Sequence, residues 1–174
     1  MPTMTTTSER REPPTVSDER TSLESWLDYH RATLALKCAG LDDRQLREPS
    51  APPSPLTLMG LVRHMAEVER GWFRRVLGGE ESAGPIFYSD ADPDGDIHVT
   101  EQDTWEEAYA TWQAEIAAAR EAARGRSLDD RGVHSRHDAE FDLRWIYTHM
   151  IEEYARHNGH ADLIRERIDG ATGD

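Results

Sequence analysis

Four segments of the chain repeat apolar side chains at the three- and four-residue spacing of an amphipathic helix. They run from about Thr21 to Ala39, from Thr57 to just before Gly78, from Thr104 to about Arg124 and from Asp142 to Asp169. Several of these boundaries carry threonine or aspartate before the first turn, or glycine after the last one, as helix ends favour. Because no stretch alternates apolar and polar residues as a strand does, the sequence predicts an all-α four-helix bundle.

Long polar segments connect the predicted helices. Proline cannot continue a helix, so Pro49–Pro55 is a connector, and residues 80–100 form a long acidic loop. A loop of this length is typical of a functional lid. The segment Gly125–Phe141 is predicted to be a second polar connector, so the bundle has two long connections that allow crossovers. Residues 1–17 are predicted to be a disordered tail, which leaves 18–174 as a single domain.

The five tryptophans of the chain fall at apolar positions of the predicted helices. Trp26 lies on the apolar face of the first helix, Trp72 on that of the second, Trp105 and Trp112 on the third and Trp145 on the fourth. This spacing predicts that the rings pack in the core and do not form a cage around a cofactor.

Charge and cysteine content exclude several classes of function. The net charge of −14, from 34 acidic and 20 basic residues, predicts a surface that repels nucleic acid and anionic membranes. No apolar run is long enough to span a membrane, and the N-terminus lacks the apolar core of a signal peptide, so we expect a cytoplasmic protein. A homodimer through an exposed helix face is compatible with the sequence. Because Cys38 is the only cysteine, any metal site must use nitrogen and oxygen ligands.

The last helix carries a pattern that suits metal binding. Glu153 and His157 stand four residues apart, so their side chains emerge one turn above the other and can share an ion. The same spacing also suits an ordinary ion pair on a solvated face. His64 sits among apolar positions of the second helix, where a buried imidazole needs a hydrogen-bonding or metal partner. Taken together, the three residues favour a metal site built between two helices.

Other histidines are secondary candidates. His149 and His160 share the face of Glu153, so they are predicted to be alternative ligands, residues that orient a ligand, or proton carriers. His134 and His137 are predicted to lie in a solvated loop. The two that remain, His30 and His98, are predicted to lie at the rim of the core and in the acidic loop.

Two stretches together resemble the DinB-like (YfiT-like) metal-binding four-helix proteins, and in particular their actinobacterial members of unassigned function. They are LTLMGLVRHMAEVERGWF at 56–73 and LRWIYTHMIEEYARHNGHAD at 143–162, and the similarity spans about residues 20–170. The resemblance implies a divalent metal, zinc or nickel, held by His64, Glu153 and His157. Many DinB-like proteins have histidine where this chain has Glu153, whereas the mycothiol-dependent maleylpyruvate isomerase branch has glutamate.

The resemblance also implies a metal-dependent enzyme that transfers or isomerises with a low-molecular-weight thiol such as mycothiol as co-substrate. In this hypothesis His160 or His149 carries a proton. One alternative is a metal-dependent hydrolase in which Glu152 or His160 is the base. Two histidines and one carboxylate also match non-haem iron oxygenases. A non-enzymatic alternative is a stress-associated binding protein in which the ion joins the second and fourth helices.

Overall fold

The computed structural model describes residues 9–135 and 138–173 and is predominantly helical. Its helices are α1 (Glu19–Cys38), α2 (Asp43–Leu46), α3 (Leu58–Glu69), α4 (Trp105–Ala123) and α5 (Leu143–Asp169). Two short strands, β1 (Arg131–His134) and β2 (Ala139–Asp142), precede α5. The all-α class is therefore confirmed. Within the described ranges, no helix is both long enough and apolar enough to cross a membrane.

The ends of the long helices follow from local sequence. The side chain of Thr57 accepts a hydrogen bond from the backbone N–H of the third residue of α3, and Thr104 and Asp142 do the same for α4 and α5. Gly170 ends α5 with φ of 76°, a left-handed conformation that glycine adopts without a steric penalty. These caps are the ones that the sequence predicts, and they set where the histidine-bearing turns of α3 and α5 lie.

The core fills the space between the four long helices. Helix α1 packs chiefly against α5, and α3 packs against α4 and also contacts α5. The largest fully buried side chains are Trp112, Tyr154, Phe73, Leu27, Leu34, Leu46, Leu58, Met59, Leu61, Met65, Leu143 and Ile146. Their burial is the main favourable contribution to folding, since apolar area leaves water. The contact between α3 and α5 places the predicted metal ligands side by side.

Helix α3 continues without a break into a π-helical segment, Arg70–Leu77. Its hydrogen bonds reach one residue further than in an α-helix, as in the bond from the N–H of Gly78 to the carbonyl of Phe73 at 2.9 Å. The sequence predicts one ordinary helix up to Gly78, so the wider turns were not foreseen. Segments of this kind are frequent at functional sites. Here the segment buries Phe73 and leaves Trp72 and Arg75 half-buried beside a cavity.

The predicted polar connector Gly125–Phe141 contains strand β1 and most of strand β2, which the sequence analysis did not predict. Strands β1 and β2 pair antiparallel in the register Arg131↔Asp142 to His134↔Ala139. The strands hold only four residues each, which is too short for a clear alternating pattern. A side chain at Gly132 would place its Cβ 2.1 Å from the carbonyl oxygen of Val76, so glycine lets the hairpin lie directly on the π-helical segment.

Two tryptophans predicted to be buried are substantially exposed, though by less than half of their surface. Trp26 is 44% exposed and Trp145 is 42% exposed, whereas Trp112 is fully buried. Both rings lie at the border of their helix's apolar face. Trp26 contacts Tyr29 and His30 near the surface of α1. Helical spacing therefore predicted the apolar face of each helix but not which residues at the border of that face are exposed.

The predicted disordered tail lies only partly within the described residues. Residues 1–8 lie outside them. In the part that follows, the guanidinium of Arg10 sits 4.8 Å from the ring centre of Tyr29 and within 3.4 Å of the Thr33 hydroxyl. The boundary between the tail and the domain stays a prediction.

Candidate metal centre

His64, Glu153 and His157 converge at the contact between α3 and α5. Each offers one ligand atom, and these three atoms all lie within 4.8 Å of one another. The side chains are 25%, 22% and 13% exposed, so the group borders the core and is reached by solvent. The spacing that predicted this group also explains it, because Glu153 and His157 follow one another on the same face of α5.

The same nitrogen of each imidazole faces the carboxylate. The Oε2 atom of Glu153 lies 3.4 Å from Nε2 of His157 and 3.9 Å from Nε2 of His64. The two imidazole rings meet edge to face, with their centres 4.7 Å apart. Direct hydrogen bonds to a carboxylate are usually shorter than these distances. The three atoms therefore point toward one another at a separation that leaves space between them.

Asp96 orients His64 from the acidic loop. Its Oδ2 atom lies 2.7 Å from Nδ1 of His64, which fixes the ring and leaves Nε2 directed at Glu153. A carboxylate behind a histidine is the usual support of a metal-ligating imidazole. The sequence prediction missed Asp96. The only available signal was the acidity of the loop, which does not single out one of its aspartates.

His160 contacts His157 in the way that Asp96 contacts His64, at the ring nitrogen that faces away from Glu153. Its Nδ1 atom lies 3.3 Å from Nδ1 of His157, so the two rings form one hydrogen-bonded pair on consecutive turns. Burial, helped by the neighbouring His157 and Arg156, lowers the pKa of His160. At neutral pH the ring is therefore available to accept a proton. The sequence predicted that His160 shares the face of the site, and the structure places it there.

The charges of the group stabilise an ionised carboxylate. The nearby imidazoles of His157 and His64 hold the pKa of Glu153 well below its usual range, against the opposing effect of burial. For His64, burial lowers the pKa, but the hydrogen bond with Asp96 and the negative charges of Asp96 and Glu153 outweigh it and raise the pKa to about 9. Protons and a metal cation therefore compete for the same imidazole nitrogen.

His149 lies on the opposite side of Glu153. Its Nε2 atom is 3.5 Å from Oε1 of Glu153, and its ring stacks on Trp145 at 4.8 Å and meets the edge of Trp72 at 4.8 Å. His149, Glu152 and Glu153 form a second group of metal-ligand type. Arg156, however, binds the Glu152 carboxylate at 2.9 Å and 2.6 Å. His149 thus faces Oε1 of Glu153, whereas His64 and His157 face Oε2.

A cavity of about 330 Å³ opens beside His64. The π-helical segment, the acidic loop and β1 form its walls, and its lining includes Trp72, Arg75, Tyr88, Asp96 and His134. The acidic loop thus borders the cavity, and its function as a lid stays a prediction.

Glu67 holds the acidic loop in place. Its Oε1 atom accepts hydrogen bonds from the backbone N–H groups of Ile86 and Phe87 at 2.7 Å and 2.6 Å. The wall of the cavity is thus fixed to α3, the helix that carries His64.

Three of the remaining histidine predictions can be compared with the structure. His134 lies in β1, half-buried against Trp72 and Phe141, so its assignment to a solvated loop is wrong, and His137 lies outside the described residues. His98 is exposed and pairs with Asp92 at 2.9 Å. His30 lies near Asn158, with its carbonyl accepting a hydrogen bond at 3.1 Å. Neither belongs to the metal-ligand groups found among the described residues.

A larger cavity of about 600 Å³ lies elsewhere, between α1, α4 and the start of α5. Its lining includes Arg20, Arg31 and Arg126, and none of the three converging ligands. The volume of a cavity alone therefore does not identify the candidate site.

The donor set of the converging group fits a divalent metal ion. Two imidazole nitrogens and one carboxylate oxygen are the ligands that zinc, nickel and iron accept in proteins. The Nδ1 atoms of His64 and His157 are both engaged by other side chains, which leaves both Nε2 atoms for an ion.

Comparison with protein-family models identifies the family of the chain. The model of the Mycothiol-S-transferase family matches residues 22–170. The chain belongs to this family. The predicted membership of the DinB-like superfamily is thereby confirmed, and the match covers α1 to the end of α5. No curated protein matches the chain.

Proposed function

We propose that the chain is a divalent-metal-dependent transferase for a low-molecular-weight thiol of the mycothiol type, and that His64, Glu153 and His157 hold zinc or nickel. The observation that carries the proposal is the convergence of two Nε2 atoms on one carboxylate oxygen, with the opposite ring nitrogens held by Asp96 and His160. Membership of a family described as Mycothiol-S-transferase supports the choice of thiol and reaction. Three protein ligands are typical of catalytic and not of structural sites.

A divalent ion in such a site supplies a positive charge that lowers the pKa of a thiol, so that the reactive thiolate is present at neutral pH. The chain's own residues prepare that site. Asp96 fixes the ring of His64, and Glu153 stays ionised across the physiological range. Burial lowers the pKa of His160, which favours its neutral form, and its contact with His157 suits the proposed role of proton carrier.

The protein itself does not provide the reacting thiol. Cys38 is the only cysteine and is 1% exposed. Burial raises the pKa of its thiol to about 12, although Arg165 acts in the opposite direction. A thiolate at Cys38 is therefore almost absent at neutral pH, and the nucleophile is a small molecule that enters the cavity beside His64.

The four-helix bundle of the DinB-like superfamily, with its two long connections, is the architecture we propose for α1, α3, α4 and α5. The pairing of α1 with α5 and of α3 with α4 supports it. The predicted homodimer and the cytoplasmic location stay predictions.

The first experiment is elemental analysis of protein purified without a histidine tag. We expect close to one zinc or nickel ion per chain, and loss of that ion in the His157→Ala variant. His98→Ala is the matched control, because His98 pairs with a carboxylate in the same way but lies outside the site. An ion content that is unchanged in His157→Ala contradicts the proposed ligand set.

The second experiment measures thiol transfer. Metal-loaded wild type and the His64→Ala variant are compared with mycothiol and an alkylating acceptor, and equal rates in the two proteins contradict the proposal. Turnover of a substrate without added thiol would instead indicate the hydrolase alternative. If metal removal lowers the melting temperature while no substrate is turned over, the ion has only a structural role.

A further inference from the structure

Arg75 is a cation with no carboxylate bound to it in the described part of the chain. It lies in the π-helical segment and lines the cavity beside His64. Among the described residues, its side chain makes one hydrogen bond, from Nη1 to the hydroxyl of Tyr88 at 3.3 Å, which is long for such a bond. By contrast, the neighbouring Arg70 and Arg74 both bind Glu115. Arg75 therefore keeps an available charge in a chain whose net charge is −14.

Two acidic groups in the walls of this cavity already have partners. Glu67 accepts two backbone N–H groups of the acidic loop, and Asp96 binds His64. A third, Asp94, is exposed to solvent at the rim, where water screens its charge. The guanidinium of Arg75 is thus the group in the wall that still lacks an anion.

His64 and Arg75 lie along one side of the same continuous helix. They are eleven residues apart, and Val68, Gly71 and Trp72, which lie between them in the sequence, line the same cavity. A small molecule held in the cavity of about 330 Å³ can therefore have one end at His64 and the other near Arg75.

We infer that Arg75, with Tyr88 beside it, binds a carboxylate on the acceptor substrate, so that the enzyme prefers acidic acceptors to neutral ones. A guanidinium matches a carboxylate with two parallel hydrogen bonds, which makes this pairing more selective than attraction to a point charge. This inference rests on the proposed transfer reaction. It assigns Arg75 to acceptor recognition and gives it no part in holding the metal.

A matched pair of acceptors tests the preference. One is the N-chloroacetyl derivative of aminohexanoate, and the other is its primary amide, which has nearly the same shape but no charge. In either reaction the mycothiol sulfur bonds to the chlorinated carbon as the carbon–chlorine bond breaks, chloride leaves, and the thiol proton passes to water. We expect the wild type to favour the carboxylate about tenfold in kcat/KM, as loss of a charged hydrogen bond typically costs.

Three variants decide whether Arg75 is the cause. Arg75→Gln should bring the ratio of the two kcat/KM values close to one, and Arg75→Lys should recover part of it. Arg126→Gln removes the same charge at the larger cavity and should keep the wild-type ratio. A wild-type ratio near one, or an unchanged ratio in Arg75→Gln, overturns the inference.

Equilibrium binding separates this inference from the proposed function. N-acetyl-aminohexanoate has no leaving group, and its binding can be followed by tryptophan fluorescence because Trp72 lines the cavity. We expect the Kd of Arg75→Gln to be at least fivefold higher than that of Arg126→Gln, whether or not transfer is observed. Absence of transfer together with this difference in Kd contradicts the proposed reaction alone. Equal Kd values contradict the role of Arg75.

Discussion

Two polar clusters join α3 to α5, and they differ in how completely their groups are paired. In the buried cluster, both Nε and Nη2 of Arg31 donate to Glu69 at 2.7 Å, and Tyr154 donates to the same carboxylate while accepting from Trp112 at 2.8 Å. Glu69 and Tyr154 are 0% exposed. The network is closed, since short bonds satisfy each of these carboxylate and hydroxyl groups.

The metal-ligand cluster is open by comparison. Its contacts between Glu153 and the two histidines are 3.4 Å and 3.9 Å, and all three side chains are partly exposed. Glu153 and Tyr154 are adjacent in sequence, so α5 contributes Glu153 to the open cluster and the next residue, Tyr154, to the closed network. Short, complete hydrogen bonding is what a structural network requires, whereas converging but separated donors are what we expect of a site that binds a ligand.

The largest effect is expected from breaking the closed network. Glu69→Gln removes the charge that compensates buried Arg31, and we expect a loss of about 3–5 kcal/mol in the free energy of unfolding, measured by urea denaturation. The double variant Arg31→Met with Glu69→Leu should recover most of this loss, because it leaves no unpaired buried charge. A loss below about 1 kcal/mol in the single variant would show that the two clusters do not differ as proposed.

A smaller effect is expected from loosening the open cluster. Asp96→Asn keeps the shape of the side chain that supports His64 but removes its charge, so metal affinity should fall roughly 10–100-fold, as measured by competition with a chelating dye. Asp92→Asn is the matched control, since Asp92 supports exposed His98 on the same loop. Equal affinities in the two variants would remove Asp96 from the site.

The pH dependence of the metal-free protein gives a smaller effect again. The folded-state pKa of His64 is raised to about 9, above its ordinary value of 6.5. The stabilisation from protonated His64 is therefore fully present below about pH 6.5 and is lost as pH rises toward 9. Relative to His64→Gln, the chelator-treated wild type should lose on the order of 1–2 kcal/mol across this window in urea unfolding.

Metal binding should show the opposite trend with pH. A proton must leave His64 before Nε2 can bind an ion, so the apparent affinity of the wild type should rise between about pH 6.5 and pH 9. Parallel pH profiles for the wild type and His64→Gln would contradict the assignment of this pKa.

The smallest effect is expected at Glu152, which neighbours the open cluster but pairs with Arg156 at the surface. Glu152→Gln should change the free energy of unfolding by no more than about 0.5 kcal/mol and should keep both the metal and the activity. Glu153→Gln, one residue further, should lose the ion. If Glu152→Gln keeps the ion but loses activity, Glu152 is a base and the hydrolase alternative gains support.

Local signals predicted the parts of the fold that depend on neighbouring residues. Thr57, Asp142 and Gly170 mark helix ends because their effect acts within one turn of the chain. His64, Glu153 and His157 could be paired because helical spacing brings residues of the same face together and bundles bury such faces. Both the helices and the residues that converge between them could therefore be predicted from the sequence.

The missed features depend on contacts between distant segments. Asp96 lies in a loop with no periodicity, so only the folded chain shows that it meets His64. The hairpin at 131–142 is short, and it is held by its contact with the π-helical segment. The role proposed for Arg75 depends on which carboxylates lie near it, and sequence spacing does not give that information.

The burial of Cys38 has a consequence for the lifetime of the protein. An enzyme that joins thiols to electrophiles works among the very compounds that alkylate and oxidise cysteine side chains. Because its single sulfhydryl is enclosed in the core, this chain offers those compounds no accessible cysteine target. In the proposed reaction, the protein should therefore keep its activity through many turnovers in an excess of reactive acceptor, when proteins with exposed cysteines are inactivated.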